Sequence, residues 1–294
     1  MKGSKKVFIL MLLLSIITTT TFSVNCKKEN DYQMESTLEL FVTRIYNSIN
    51  TAFFNIDMLE SIVKYGYDNL TEQEVEVLVT PIGEQYDVRN ISILPKGIVE
   101  YVYPFSGNEK AIGDNIFLMP DRKIEAMIAI NTKETILSGP YELTQGGSGL
   151  ICRKAIYLPN QNGEDEFWGF VAIVLDMPEF ISYVELPMLE LYGYEYELSA
   201  YVNDIGKKII QSSENFDAKK AIYADIVLPN GTWELGINKS WDGFEFLTII
   251  CIFLIGIFMS IAIFLYFQKE ESQIEILNEN IYTDYLTGVY NKKN

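Results

Sequence analysis

Three apolar, β-branched runs, ETILSGPYEL (Glu134–Leu143), LICRKAIYL (Leu150–Leu158) and FWGFVAIVL (Phe167–Leu175), decide how this chain is read. The glycine-rich turn Gln145–Gly149 separates the first two, and the polar turn Asn160–Glu166 separates the last two. Their length and spacing predict three sequential antiparallel strands. Working upstream, the texture turns to β from about Val88, and Gly97–Pro104 alternates with aromatic and β-branched residues, which predicts another strand there. Between them, Asp121 to Lys133 has helical periodicity, with Pro120 placed to start the helix.

Downstream, four shorter strands are expected. Glu195–Val202 and Lys207–Gln211 flank the turn Asn203–Gly206, and Ala224–Leu228 and Thr232–Ile237 flank Pro229-Asn-Gly231. The first set has the order of a PAS-like sensor sheet, and the second resembles a reduced copy of it. Ahead of both, Asp31 to about Tyr67 reads as a long amphipathic helix. Its stripe is Met34, Leu38, Phe41, Ile45, Ile49, Ala52, Ile56, Leu59 and Val63, close to a heptad pattern with one slip. Such a stripe serves equally as a dimer seam or as the face packed on the following domain.

Composition removes whole classes of function. A net charge of −17 leaves no basic surface for nucleic acid. There is no histidine, so His-based triads and HExxH zinc sites are excluded. Cys26, Cys152 and Cys251 have no metal-ligand spacing, although a Cys26–Cys152 disulfide is open to a chain outside the cell. Glu164-Asp165-Glu166 lacks EF-hand spacing and reads as a solvated turn. No metal, cofactor or catalytic residue is expected.

Phe246 to Tyr266 is an uncharged run of membrane-spanning length, since a bilayer core needs about 20 helical residues. The apolar run from Val7 to about Asn25 follows Lys2, Lys5 and Lys6 and reads as an uncleaved signal anchor in preference to a cleaved signal. Under either reading these lysines hold the N-terminus inside and place residues 27–245 outside. That segment holds 35 of the 40 acidic residues, as suits a solvated surface facing away from an anionic membrane.

The wording of the outer segment, NISILPKGIVEYVYPFSGNEKAIGDN (Asn90–Asn115), then Thr135–Leu143, Gly146–Tyr157 and Phe167–Val171, resembles the CHASE domain, an extracytoplasmic sensor of receptor kinases and cyclases. The resemblance spans roughly residues 85–185 and more loosely reaches 240. It implies an α+β fold: a long N-terminal helix, then tandem PAS-like subdomains with antiparallel sheets, flanked by two transmembrane helices. The expected division is 1–26 signal anchor, 27–80 amphipathic helix, 81–185 membrane-distal subdomain, 186–243 membrane-proximal subdomain, 246–266 second transmembrane helix and 268–294 cytoplasmic segment. Trp241 falls where an interfacial tryptophan is expected.

The resemblance also implies that ligands sit in the distal subdomain. Ser138 matches a small hydroxyl residue before a Pro-aromatic pair that lines the pocket in plant members of the family, and Leu137, Gly139 and Tyr141 share its strand. Those members also use an acidic residue in the region where Phe105 and Ser106 stand here, a departure that speaks against a cytokinin ligand. Tyr101, Tyr103, Phe105, Tyr157 and Trp168 are further candidates, because small-molecule pockets are mostly apolar with few polar anchors. Core packing is the competing role for each aromatic. Asn108, Asp114 and Arg122 are candidates for polar contacts, with capping and surface roles as the alternative.

Residues 268–282 read as a signalling helix. Thr283-Asp-Tyr-Leu-Thr-Gly-Val-Tyr-Asn-Lys-Lys-Asn294 resembles the opening of a GGDEF domain, with Asp284, Leu286, Thr287, Gly288 and Asn291 matching and Lys292 and Lys293 standing for two arginines. The catalytic elements of that family would lie further on. The expectation is therefore a homodimeric membrane receptor for an unidentified small molecule outside the cell, serving cyclic-di-GMP synthesis. The alternatives are a diguanylate cyclase whose catalytic domain is missing here, or a decoy binding protein.

Topology is testable directly. An engineered S212C is expected to react with a membrane-impermeant thiol reagent on intact cells; labelling only after permeabilisation would reverse the assignment.

Overall fold

The computed structural model describes residues 2–66, 69–85, 87–202, 206–239 and 243–282. The chain divides into two compact units, Met34–Ser240 and the pair Met1–Gln33 with Trp241–Asn294. The GGDEF-like segment from 283 onward and Trp241 lie outside the described residues.

Helix α1 (Lys2–Gly66) is one continuous helix of 65 residues. In the larger unit its apolar stripe is buried: Leu38, Phe41, Ile45, Ile49, Ala52, Ile56, Leu59 and Val63 all lie in one core, with half-buried Met34 packed against it. The stripe is thus the face packed on the following domain. A second helix, α2 (Glu72–Gly83), was not expected. Thr71 starts it with a capping box, its hydroxyl accepting from the Glu74 amide while the Glu74 carboxylate takes the Thr71 amide. Its Val75, Val79 and Ile82 join the same core.

The first sheet has the order β2-β1-β5-β4-β3, built from β1 (Val88–Pro95), β2 (Tyr101–Tyr103), β3 (Ile136–Glu142), β4 (Ser148–Pro159) and β5 (Asp165–Asp176). All its pairings are antiparallel. The last three strands fall where expected. The long strand expected over Gly97–Pro104 shrinks to β2, because Lys96 (φ 54°) and Gly97 (φ 82°) turn the chain first. β1 supplies the long pairing with β5 instead. It is buried on both faces, so Asn90 and Ser92 are polar residues inside the molecule, which hid the strand from its alternation pattern.

The sheet is a middle layer. Ile91, Ile93, Leu150, Cys152, Ile156, Val171 and Ile173 point into the α1 core. The alternate residues Leu94, Ile136, Ile151, Ala155, Phe170, Ala172 and Val174 form a second core with Ala126 and Ala129 of α3 (Pro120–Thr132), which begins with the proline read from the sequence. Cys152 stays a free thiol, its ionisation pushed up by complete burial.

Two short helices, α4 (Met177–Tyr183) and α5 (Met188–Leu191), lead to a second sheet of order β7-β6-β9-β8. Its strands are β6 (Tyr194–Val202), β7 (Gly206–Ser212), β8 (Ile222–Leu228) and β9 (Gly231–Lys239), all paired antiparallel. Tyr194, Tyr196, Leu198, Ile226, Trp233, Leu235 and Ile237 enter the same core as the α1 stripe. On the opposite face Lys207 pairs with Glu197 at 2.9 Å and Glu234 at 3.0 Å.

In the smaller unit, residues 2–33 of α1 run antiparallel to α6 (Gly243–Tyr282). Phe8 meets Phe264 edge-on at 5.5 Å, and the Ser4 amide donates to the Glu271 carboxylate at 3.0 Å. Ser15 lies directly against Gly256, whose missing side chain permits the approach. Both helices contain stretches long and apolar enough to cross a membrane. The apolar run and the charged segment after it, expected as separate pieces, form one helix.

Two stability effects follow from this packing. Phe41→Ala, at a fully buried position, is expected to cost about 3–5 kcal/mol in urea unfolding of the full chain in detergent. Asp87 is buried beside the Ser48 hydroxyl (3.2 Å), and desolvation raises its carboxyl pKa despite that bond. A raised folded value favours the protonated form. Its contribution to stability is full below the unfolded carboxyl value of about 4 and is lost as pH rises through the folded one. The melting-temperature gap between D87N and the parent should therefore widen in favour of D87N from pH 4 to pH 8; a gap independent of pH would refute this.

Candidate functional site

A cavity of about 620 Å³ lies between α3 and β3 on one side and the second sheet on the other. From α3 it is lined by Asp121, Ile124, Glu125 and Ile128, and from β3 by Leu137, Ser138, Gly139 and Tyr141. The second sheet contributes Ala200, Tyr201, Lys208, Leu228, Asn230, Gly231 and Trp233. The lining is apolar with a few polar anchors, as small-molecule sites are.

Local backbone chemistry explains the β3 wall. Ser138 and Tyr141 would point to opposite faces of a regular strand, but the pairing with β4 shifts register between them. Gly139 sits in that bulge at φ 109°, and a Cβ there would meet the Gly149 carbonyl oxygen at 2.9 Å. The bulge brings Ser138 and Tyr141 to one face. The Ser138 hydroxyl donates to the Ile151 carbonyl at 3.3 Å. The Tyr141 phenol is pushed well up by burial and by the Glu125 carboxylate, so it is a neutral hydroxyl at physiological pH.

Asn230, in the β8–β9 turn, ties the two sheets together. Its Nδ2 donates to the Leu137 carbonyl at 2.8 Å, and its Oδ1 accepts from the Leu137 amide at 3.2 Å. Lys208 donates to the Pro140 carbonyl at 3.1 Å and lies 6.0 Å from the Tyr141 ring centre. The cavity wall and the junction between sheets are therefore the same residues.

Behind Tyr141, between the first sheet and α3, lies a smaller chamber of mixed apolar and polar lining. Arg122, Arg153, Asn90, Ser92, Asp114 and Gln145 are among its lining residues. Arg153 is only 2% exposed, and burial lowers its pKa to about 10, which still leaves it charged. Arg122 donates from Nη2 to the Glu142 carbonyl at 2.9 Å and stacks 5.6 Å from the Tyr141 ring.

Of the residues expected at a ligand site, Leu137, Ser138, Gly139 and Tyr141 line the wide cavity. The other five lie elsewhere. Tyr101 and Tyr103 pack on the edge of the α1 core, where the Tyr103 hydroxyl accepts from Thr80 at 3.1 Å. Trp168 packs against that core too, and its carbonyl accepts from the Lys96 amide at 2.8 Å. Phe105 is 60% exposed, and the Tyr157 hydroxyl donates to the Ile130 carbonyl at 2.6 Å. Of the polar candidates, Arg122 is buried rather than at the surface, Asp114 accepts from Thr144 at 2.6 Å, and Asn108 donates to the Pro104 carbonyl at 3.0 Å.

The sequence reading missed the whole second wall, Tyr201, Lys208, Asn230 and Trp233, since nothing local says that the second sheet closes on the first. It also missed Arg153, although a signal was present: a charged residue at an inward position between Ile151 and Ala155. Among the described residues no cluster of His, Cys, Asp or Glu suits a metal ion.

Residues 66–201 match the CHASE domain, which covers the first sheet, its helices and β6. The extracellular ligand binding receptor from Desulfohalobium retbaense is similar in fold, with a TM-score of 0.51 and 14% identity over 68% of this chain. This chain spans 40% of that receptor's length. The periplasmic domain of Vibrio cholerae LuxQ aligns with a TM-score of 0.37 and 12% identity, over 70% of this chain and 98% of that one. No curated protein matches by sequence. The match to the CHASE domain supports a sensor module, and two helices are long and apolar enough to cross a membrane.

The double bond of Asn230 predicts a measurable coupling. N230A removes both partners of Leu137 and is expected to destabilise the full chain by about 1–3 kcal/mol. An unchanged unfolding midpoint would show that the sheets hold together without it.

Proposed function

We propose that the chain is the input module of a membrane receptor that takes a small molecule from outside the cell into the cavity between α3, β3 and the second sheet. The observation that carries this reading is the cavity itself: it is roomy, mostly apolar, and bounded by two sheets whose junction runs through it. A ligand there touches Ser138 and Tyr141 on one side and Tyr201 and Trp233 on the other. It can therefore bias the relative arrangement of the sheets by its differential affinity for two states. The CHASE match over residues 66–201 supports a sensor role.

In this reading residues 27–245 are extracytoplasmic, the chain acts as a homodimer, and α6 carries the change inward. The GGDEF-like wording after Thr283 favours cyclic-di-GMP synthesis as the output.

Metabolite screening of the full chain in detergent by thermal melting tests the site. A ligand selective for the folded state adds RT ln(1 + [L]/Kd), about 2.7 kcal/mol at a hundredfold excess over Kd. Ser138→Trp, which fills the cavity, is expected to abolish the shift given by the ligand found. A variant that responds as the parent does would place the ligand elsewhere.

A further inference from the structure

Arg153 sits in the middle of β4, paired with Ile136 of β3 and Ala172 of β5 and only 2% exposed. Its Nε and Nη1 are buried and have no hydrogen-bond partner, and the Nε of Arg122 in the same chamber is also without one. A buried charge without partners is strongly unfavourable, which is why such groups are nearly always paired. Nearby carboxylates offset part of the charge without bonding Arg153: Glu125 favours its charged form yet keeps an unpartnered Oε2, and Asp121 Oδ2 lies 4.0 Å from Arg122 Nε. The chamber, about 40 Å³, exceeds the space of one water and suits a carboxylate group. Asn90 and Gln145, joined at 3.3 Å, close its other end.

We propose that Arg153 and Arg122 receive the carboxylate of a small organic acid in the chamber between the first sheet and α3. The planar fork of a guanidinium matches a carboxylate through two parallel bonds. Water fills such a space but brings no negative charge to the two guanidinium groups. Glu125 and Tyr141, against whose ring Arg122 stacks, line the wide cavity, and in this proposal an acid longer than the chamber passes Tyr141 to place its body there. Glu125 Oε2 then accepts from a donor on that body. This assignment rests on the sensor reading and names the chemical class of its ligand.

The test uses the full chain in lipid nanodiscs at constant ionic strength, followed by thermal melting and calorimetry. The probes are formate, acetate, C3–C6 mono- and dicarboxylates and the common amino acids, each carboxylate beside its neutral amide. At least one carboxylate is expected to raise the melting temperature saturably while its amide does not. Response to formate and acetate alone assigns a free small acid; response only to longer acids assigns the carboxylate end of a larger one. Arg153→Met should weaken binding at least tenfold, and Arg153→Lys should fail to restore it fully. Without ligand, R153M should melt no lower than the parent, because it removes an unpaired buried charge. Equal binding of acid and amide, or an undiminished response in R153M, overturns the assignment. So does the absence of any response to saturating carboxylates, or an R153M that melts far below the parent. A neutral metabolite that stabilises parent and R153M alike defeats the carboxylate and leaves the sensor reading standing.

Discussion

The apolar stripe of α1 from Met34 to Val63 needs far more cover than a neighbouring helix provides, and two sheets supply it. The α1-facing side of the first sheet and the inner face of the second enter a single core with Phe41, Ile45, Ile49, Ile56 and Leu59. Every other arrangement in this unit follows from that burial. Because both sheets share one core, their positions are coupled, and the wide cavity lies where their edges meet away from the helix.

That cavity is a place where the packing logic of the domain gives way. Elsewhere the first sheet is filled on both faces, by α1 and α2 on one and by α3 on the other. At β3 the bulge at Gly139 breaks the alternation and turns Ser138 and Tyr141 to the same side. The Asn230 turn then bridges back to Leu137. Backbone irregularity and a side-chain clamp therefore meet at one spot, on the wall of the cavity.

The polar residues within the first sheet are a second departure. Asn90, Ser92 and Arg153 occupy positions that would hold aliphatic side chains in a purely structural core. Buried hydrogen bonds satisfy Asn90 and Ser92, at 2.8 Å from each other. Arg153 keeps unpaired donors. In a chain with a net charge of −17, two buried guanidinium groups in one chamber, with Arg153 also 5.8 Å from the Phe170 ring centre, are a local inversion of the overall charge.

The sequence alone determined the elements whose signal is local. The strands β3, β4 and β5, the proline that opens α3, the four short strands of the second sheet and the apolar helices were legible from periodicity and turn residues, which act over a few neighbours. The family resemblance around Ser138 also singled out Leu137, Ser138, Gly139 and Tyr141, which line the wide cavity. Tertiary structure alone decided the rest. It showed that the α1 stripe faces its own sheets, since a heptad-like pattern records burial without naming the partner. It placed β1 inside a sheet, between β2 and β5, although Asn90 and Ser92 on its α3-facing side are polar. It moved Tyr101, Tyr103, Phe105, Tyr157 and Trp168 away from the cavity and brought Tyr201, Asn230 and Trp233 to it. Aromatic character reports only a preference for burial, whereas a cavity is defined by which surfaces from distant parts of the chain fail to meet.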